Sequence, residues 1–168
     1  NLIDKSNWNT TDTYPAFITD TTDWDTYTDI VKTLKPDSPK YNLFNSLKFQ
    51  NGCLYSCGGI DNGLNNGCVQ VYHQDNWHIY QDNIASLTNR RYYLHHSFDI
   101  DPTDTTHVFV GSNNGLYEFR NGLFINFYNN TNSPIESYNG TSNNYQLVTG
   151  TTFDNNGTLW FFNSQATT

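Results

Sequence analysis

Few residues in this chain have side chains suited to chemistry, and their spacing limits what they do. Arg90-Arg91-Tyr92-Tyr93 joins an adjacent pair of guanidinium groups to two aromatic rings. Arginine presents a rigid fork of donors that matches carboxylates and phosphates. Aromatic and amphipathic side chains beside it suit sugars. A solvated loop with tyrosines anchored in a core is the plainer alternative. His95 and His96 are neighbours on a predicted strand, so they point to opposite faces and do not chelate one ion together. Asp99, Asp101 and Asp104 form an oxygen-rich turn, and Asp20, Asp23, Asp25 and Asp29 form another acidic cluster. Calcium takes six to eight oxygens, but aspartates also cap turns with no ion present. No metal or other cofactor is expected.

The cysteines are Cys53, Cys57 and Cys68, too few thiols for a four-cysteine zinc site and an odd number for a disulfide framework. A Cys57–Cys68 bridge would close the intervening loop at the ends of two paired strands. Buried free thiols are the alternative. The only glutamates are Glu118 and Glu136. No Ser/His/Asp arrangement, phosphate-cradling glycine loop or paired carboxylate site is visible, so the chain is expected not to be an enzyme. A shared fold would not supply an activity.

These residues sit on a repeat. Asn45–Phe49, Leu94–Ile100 and Gln146–Phe153 each read as a first strand, A. Cys53–Cys57, Val108–Ser112 and Leu159–Asn163 each follow as a short apolar second strand, B. Asn51-Gly52 and Asp154-Asn155-Asn156-Gly157 supply the positive backbone angles of tight turns between A and B. A third strand, C, follows at Gly67–Tyr72 and Asn114–Phe119, and a fourth, D, at Trp77–Tyr80 and Ile125–Tyr128. Trp24–Tyr27 reads as an earlier strand D. Strand B recurs from Cys53 to Val108, an offset of 108 − 53 = 55, and strand C from Val69 to Leu116, an offset of 116 − 69 = 47. The difference lies in a longer B–C loop, Gly58–Gly67, in the first full unit.

Four-stranded units of this period are the mark of a β-propeller. The expected fold is all-β: a β-propeller fragment of about three blade equivalents of four-stranded antiparallel sheets. Residues 1–40 read as the end of a preceding blade, 41–80 and 92–128 as blades, and 145–168 as the start of a further one. The strands Val108–Ser112 and Leu159–Phe162 do not alternate and are expected to be buried on both faces. Three blade equivalents do not close a ring. With no methionine at its start, the chain is expected to be cut from a longer one that supplies the rest of the propeller.

Composition agrees with this fold. Of 168 residues 16% are aromatic, suiting half-buried strands, and only 14% are charged. The net charge of −8 argues against nucleic acid, whose affinity rests on lysine and arginine. No apolar run approaches the length of a membrane span. Sequons at Asn9, Asn129, Asn139 and Asn156 are expected by chance in a chain this rich in Asn and Thr.

In a propeller, the D–A and B–C loops share one face. Gly58–Gly67, Gln81–Tyr92 and Asn129–Asn144 are therefore expected to cluster. That face would carry Asp61, Arg90, Arg91, Tyr92 and Tyr138, the candidate ligand-binding residues.

Val108-Phe109-Val110-Gly111-Ser112-Asn113-Asn114-Gly115-Leu116-Tyr117-Glu118-Phe119 resembles a two-component-regulator-type propeller repeat. Asp154-Asn155-Asn156-Gly157-Thr158-Leu159-Trp160 is similar to the opening of such repeats, and Asn132-Ser133-Pro134-Ile135 to the loop between them. Asp99-Ile100-Asp101-Pro102-Thr103-Asp104-Thr105-Thr106-His107 resembles a turn of PorZ-like propeller proteins of type IX secretion systems. Here Thr105 stands in place of that turn's second proline. The resemblance covers roughly residues 24–163. It implies a protein of the periplasm or cell surface of a Gram-negative bacterium, a non-catalytic scaffold binding other cell-envelope proteins or an anionic lipopolysaccharide. The alternative it leaves open is the periplasmic sensor propeller of a hybrid histidine kinase, binding oligosaccharides.

Overall fold

The computed structural model describes residues 39–41, 43–59, 67–138 and 144–166. The early strand at Trp24–Tyr27, the acidic cluster from Asp20 to Asp29, Asp61, and the sequons Asn9 and Asn139 lie outside them. The described residues form a β-propeller fragment of ten strands and one short helix. The first sheet contains β1 (Phe44–Gln50), β2 (Cys53–Gly58), β3 (Cys68–His73) and β4 (Asn76–Ile79). The second contains β5 (His95–Ile100), β6 (His107–Ser112), β7 (Gly115–Arg120) and β8 (Leu123–Tyr128). Both are antiparallel meanders in chain order. β9 (Leu147–Phe153) pairs with β10 (Leu159–Ser164) as a third, two-stranded sheet. Helix α1 (Ile84–Thr88) interrupts the connection between the first two sheets and drops Ile84 fully into the core.

Turn chemistry sets the hairpins. Asn51 and Gly52 take φ of 50° and 76°, and Asn121 and Gly122 take 52° and 74°. Both pairs occupy the left-handed region that two-residue hairpins demand. The longer A–B turns are held by aspartates. Asp101 accepts from the Thr103 amide at 2.8 Å and its hydroxyl at 2.7 Å, and Asp104 accepts likewise from Thr106 at 3.0 and 2.6 Å. The carboxylates of the Asp99–Asp104 turn are thus spent on the protein's own backbone and hydroxyls. The described residues contain no group of three His, Cys, Asp or Glu arranged to hold a metal.

The sheets pack face to face. Tyr55, Cys57, Val69 and Val71 of the first meet Phe98, Val108, Val110, Tyr117, Phe119 and Phe127 of the second in one core. The other face of the second sheet carries Leu116, Phe109 and Tyr128 against Val148, Leu159 and Ile135. Register follows from these faces. Gly58 pairs with Cys68 and Ser112 with Gly115 at equivalent ends, so Tyr55 corresponds to Phe109. The strand-B offset is therefore 109 − 55 = 54, one less than the apolar runs suggest. One residue matters, because a slip by one exchanges the two faces of a strand.

β6 is packed on both faces: Val108, Val110 and Ser112 on one are at 0% exposure, and on the other Gly111 is buried and the half-buried Phe109 packs against the third sheet. β10 is not, which corrects the expectation for Leu159–Phe162: Trp160 is 60% and Phe162 71% exposed. The reason is packing. β6 has a sheet against each face, whereas β10 has a described sheet against only one.

The first strands of the three sheets are stitched together near the fold's axis. Asp99 is only 4% exposed. Its Oδ1 accepts from its neighbour's amide, Ile100, at 2.8 Å and from Lys48 Nζ of β1. Its Oδ2 accepts from the Phe153 amide at 2.7 Å and the Thr152 hydroxyl at 3.2 Å, both on β9. Ser97 adds a second tie, donating to Thr151 Oγ1 at 3.0 Å and accepting from the Thr151 amide at 3.1 Å. Gly111 permits this close approach, since a Cβ there would lie 2.7 Å from the Val148 carbonyl oxygen.

His95 is fully buried between the first two sheets. Its Nδ1 lies 3.3 Å from the Cys68 carbonyl oxygen, which fixes Nδ1–H as the donor, and its Nε2 has no partner. Burial lowers its pKa from 6.5 to about 4.

Two predictions follow from these buried groups. Asp99→Ala leaves the Phe153 amide and Lys48 unpaired, and is expected to lower the free energy of unfolding by about 3 kcal/mol. Lys48→Ala should cost less, about 1 kcal/mol, because Asp99 keeps its three other donors and loses only a partly exposed counter-charge. Chemical denaturation of both variants measures this, and equal losses would refute the central role of Asp99. For His95, the unfolded chain binds a proton below about pH 6.5 while the folded chain does not until about pH 4. Stability should therefore fall as pH drops through that window, by about 3 kcal/mol in all. His95→Asn, whose amide reproduces the Nδ1–H bond, should flatten this slope. Parallel stability profiles for the two proteins from pH 7 to 4 would show that His95 does not titrate as described.

Candidate functional site

At one end of the sheets lie the D–A and B–C connections, and at the other the A–B and C–D turns. Arg90, Arg91 and Tyr93 follow α1 on the first of these ends. The B–C turn of the second sheet brings Asn114, and the D–A connection before β9 brings Asn144 and Tyr145. With Asn89, these residues line a cavity of about 380 Å³. The cavity spans two adjacent sheets, and no single loop builds it.

The backbone beneath the arginines is held at two successive carbonyls. The Arg91 carbonyl accepts from Asn114 Nδ2 and from the Tyr117 hydroxyl at 3.2 Å. The Tyr92 carbonyl accepts from the Gly67 amide at 2.7 Å. Above them, the Arg91 guanidinium lies over the Tyr93 ring at 5.5 Å, a favourable cation–π distance. Asn114 is in turn tied to the next sheet through a bridge to Gln146, whose amide donates to the Asn113 carbonyl at 2.8 Å. His96 Nε2 meets the Asn113 side-chain oxygen at 2.6 Å, while His95 points into the core, so the two imidazoles diverge.

Of the residues expected here, Arg90 and Arg91 line the cavity. Tyr138 stands beside it at 45% exposure, its ring 6.1 Å from that of Tyr145 and nearly perpendicular to it. Tyr92 does not face the cavity. It is 2% exposed, packed edge-on against His95 at 4.4 Å and Tyr117 at 5.1 Å, and burial raises its pKa well above the usual tyrosine value. The cause is alternation. In an extended segment neighbouring side chains point opposite ways, so Arg91 and Tyr93 face outward while Tyr92 goes inward. Asp61 lies outside the described residues. Asn114 and Tyr145 are residues that sequence reasoning missed, and Asn144, the last residue of the Asn129–Asn144 loop expected on this face, was not singled out there. Their arrival depends on how two sheets pack, although Tyr145 falls just past the end of the loop expected on this face.

The Cys57–Cys68 bridge is absent, and all three cysteines are free thiols. Register explains it: Cys57 pairs with Val69 and Cys68 with Gly58, so the two thiols leave opposite faces of the sheet. Burial pushes the Cys57 thiol up, with the Cys68 charge a lesser cause, and burial raises Cys68 to about 11. Both stay protonated and unreactive at neutral pH.

Away from the loop face, Glu118 accepts from Tyr128 at 2.7 Å and lies 2.8 Å from His107 Nε2. His107 Nδ1 stands 3.0 Å from Arg120 and 3.5 Å from Asp101. A second cavity, of about 350 Å³, lies between the second and third sheets. It is lined by Phe109, Leu116, Tyr128, Ile135, Leu159 and Phe161 among others, and is almost wholly apolar.

No protein-family model matches the chain, and no curated protein is significantly similar to it. Among solved structures, the chain is similar to PorZ, described as an essential bacterial surface component of the type-IX secretion system of Porphyromonas gingivalis. The match has a TM-score of 0.63 and 26% sequence identity, and covers 74% of this chain and 17% of that one. The chain thus spans about a sixth of the length of the PorZ structure, and it shares a PorZ-like propeller fold.

Proposed function

We propose that this chain is a non-catalytic binding propeller of a bacterial cell envelope, whose loop face receives an anionic glycan such as lipopolysaccharide. The observation that carries this reading is the cavity holding Arg90 and Arg91 beside Tyr93, Tyr145 and three asparagines. Two guanidinium groups supply forked donors for phosphate or carboxylate. Aromatic faces and amides supply stacking surface and hydrogen bonds for sugar rings. The chain's net charge of −8 makes such a local concentration of arginine more telling.

The similarity to PorZ supports a place in the periplasm or at the cell surface, and envelope proteins as further partners. Among the described residues, no helix is long and apolar enough to cross a membrane. The engagement of the carboxylates supports binding over catalysis. Asp99, Asp101, Asp104 and Glu118 each hold backbone or side-chain partners, and Asp154 accepts from the Asn156 and Thr158 amides and from Trp160.

The test is binding to immobilised lipopolysaccharide, comparing the natural protein with the Arg90→Ala/Arg91→Ala variant. The double variant should bind at least about tenfold more weakly, the loss expected for charge-assisted hydrogen bonds. Binding by the natural protein should also weaken as salt is raised. Unchanged affinity in the double variant would remove this cavity from consideration.

A further inference from the structure

We infer that Tyr117 is a positioning residue for the arginine cavity, acting on the ligand through the backbone of Arg91 without lining the cavity itself. This inference rests on the binding reading above and adds a residue to it. Tyr117 is fully buried and does not line the cavity. Its ring is clamped by Phe127, stacked at 4.6 Å and 20° from parallel, and by Tyr92, edge-on at 5.1 Å. From this fixed base its hydroxyl donates to the Arg91 carbonyl at 3.2 Å, where Asn114 Nδ2 also donates. Two donors from the second sheet thus converge on one carbonyl of the connection that leads into it.

The consequence is preorganisation. Residues 89–93 form a loop, and a loop with an untethered backbone spends binding energy on its own ordering. Here Tyr92 is inserted into the core, its carbonyl is bonded to Gly67, and the preceding carbonyl is bonded to Tyr117 and Asn114. With those carbonyls held, the Arg91 side chain leaves from a defined point, over the Tyr93 ring. Asn114 has two roles, since it both donates to Arg91 and lines the cavity. Tyr117 has only the first, which makes it the discriminating residue. Rigid supporting groups of this kind determine whether a binding site keeps its geometry.

Tyr117→Phe removes the hydroxyl, with its bond to the Arg91 carbonyl and its contacts to the Asn114 and Ser112 side chains, and keeps the ring and its packing. Four proteins would be compared on immobilised lipopolysaccharide: the natural chain, Tyr117→Phe, Arg91→Ala, and the two combined. Their melting temperatures would be recorded alongside. Loss of one neutral hydrogen bond is expected to weaken binding about fivefold. In the Arg91→Ala background, the same substitution should change affinity by less than about twofold. A purely structural role for Tyr117 would lower affinity equally in both backgrounds, which overturns the inference. So would unchanged affinity of Tyr117→Phe in the natural background. If Arg91→Ala itself binds normally, the binding reading fails first and the inference with it. A loss by Arg91→Ala without one by Tyr117→Phe sinks the inference and leaves that reading standing.

Discussion

The Asp99 carboxylate is the constraint on which the rest of this structure depends. It sits almost out of solvent on β5 and receives hydrogen bonds from β1, from its own strand and from β9. A buried carboxylate is tolerated only when its lone pairs are matched, and here each oxygen has two donors. Because those donors come from three sheets, satisfying one charge fixes how three first strands approach each other. The Ser97–Thr151 pair repeats the tie one step along, and Gly111 keeps the approach open. Apolar packing then fills the space between sheets that the polar contacts have already spaced.

From that spacing follows the loop face. The connection carrying Arg90 and Arg91 precedes β5, Asn114 follows β6, and Tyr145 precedes β9. If the second and third sheets shifted relative to each other, these groups would no longer share a cavity. Packing of the second sheet against the first places Tyr117 beneath the Arg91 carbonyl. The aromatic layer of the core therefore also supports, through the Arg91 carbonyl, the loop that lines the cavity.

Much of this was legible in the chain. The repeat of apolar runs and Asn-Gly turns is a local property, set by backbone angles and by residues that favour strands, so strand order and antiparallel pairing could be read without coordinates. The divergence of His95 and His96 was legible for the same reason, since alternation along an extended chain needs no partner. Other features were not. The one-residue difference in strand B arises because Cys53–Cys57 and Val108–Ser112 are both nearly continuous apolar runs, which carry no clear alternation to mark register. Tyr92 belongs on the surface only if its loop is exposed throughout; the structure instead follows the plainer alternative, a loop tyrosine anchored in the core.

What the sequence by itself determined is the set of strands, their turns and their order, because those depend on neighbours within a few residues. What only the tertiary structure decided is which faces meet. That choice separates Cys57 from Cys68, leaves β10 covered on one side, and routes Asp99 to three strands. It also brings Asn114, Asn144 and Tyr145 to the arginines. These contacts join residues some twenty to fifty positions apart, through side chains whose partners depend on the packing of whole sheets. No local propensity encodes that distance, and it is set when buried polar groups and apolar faces are satisfied together.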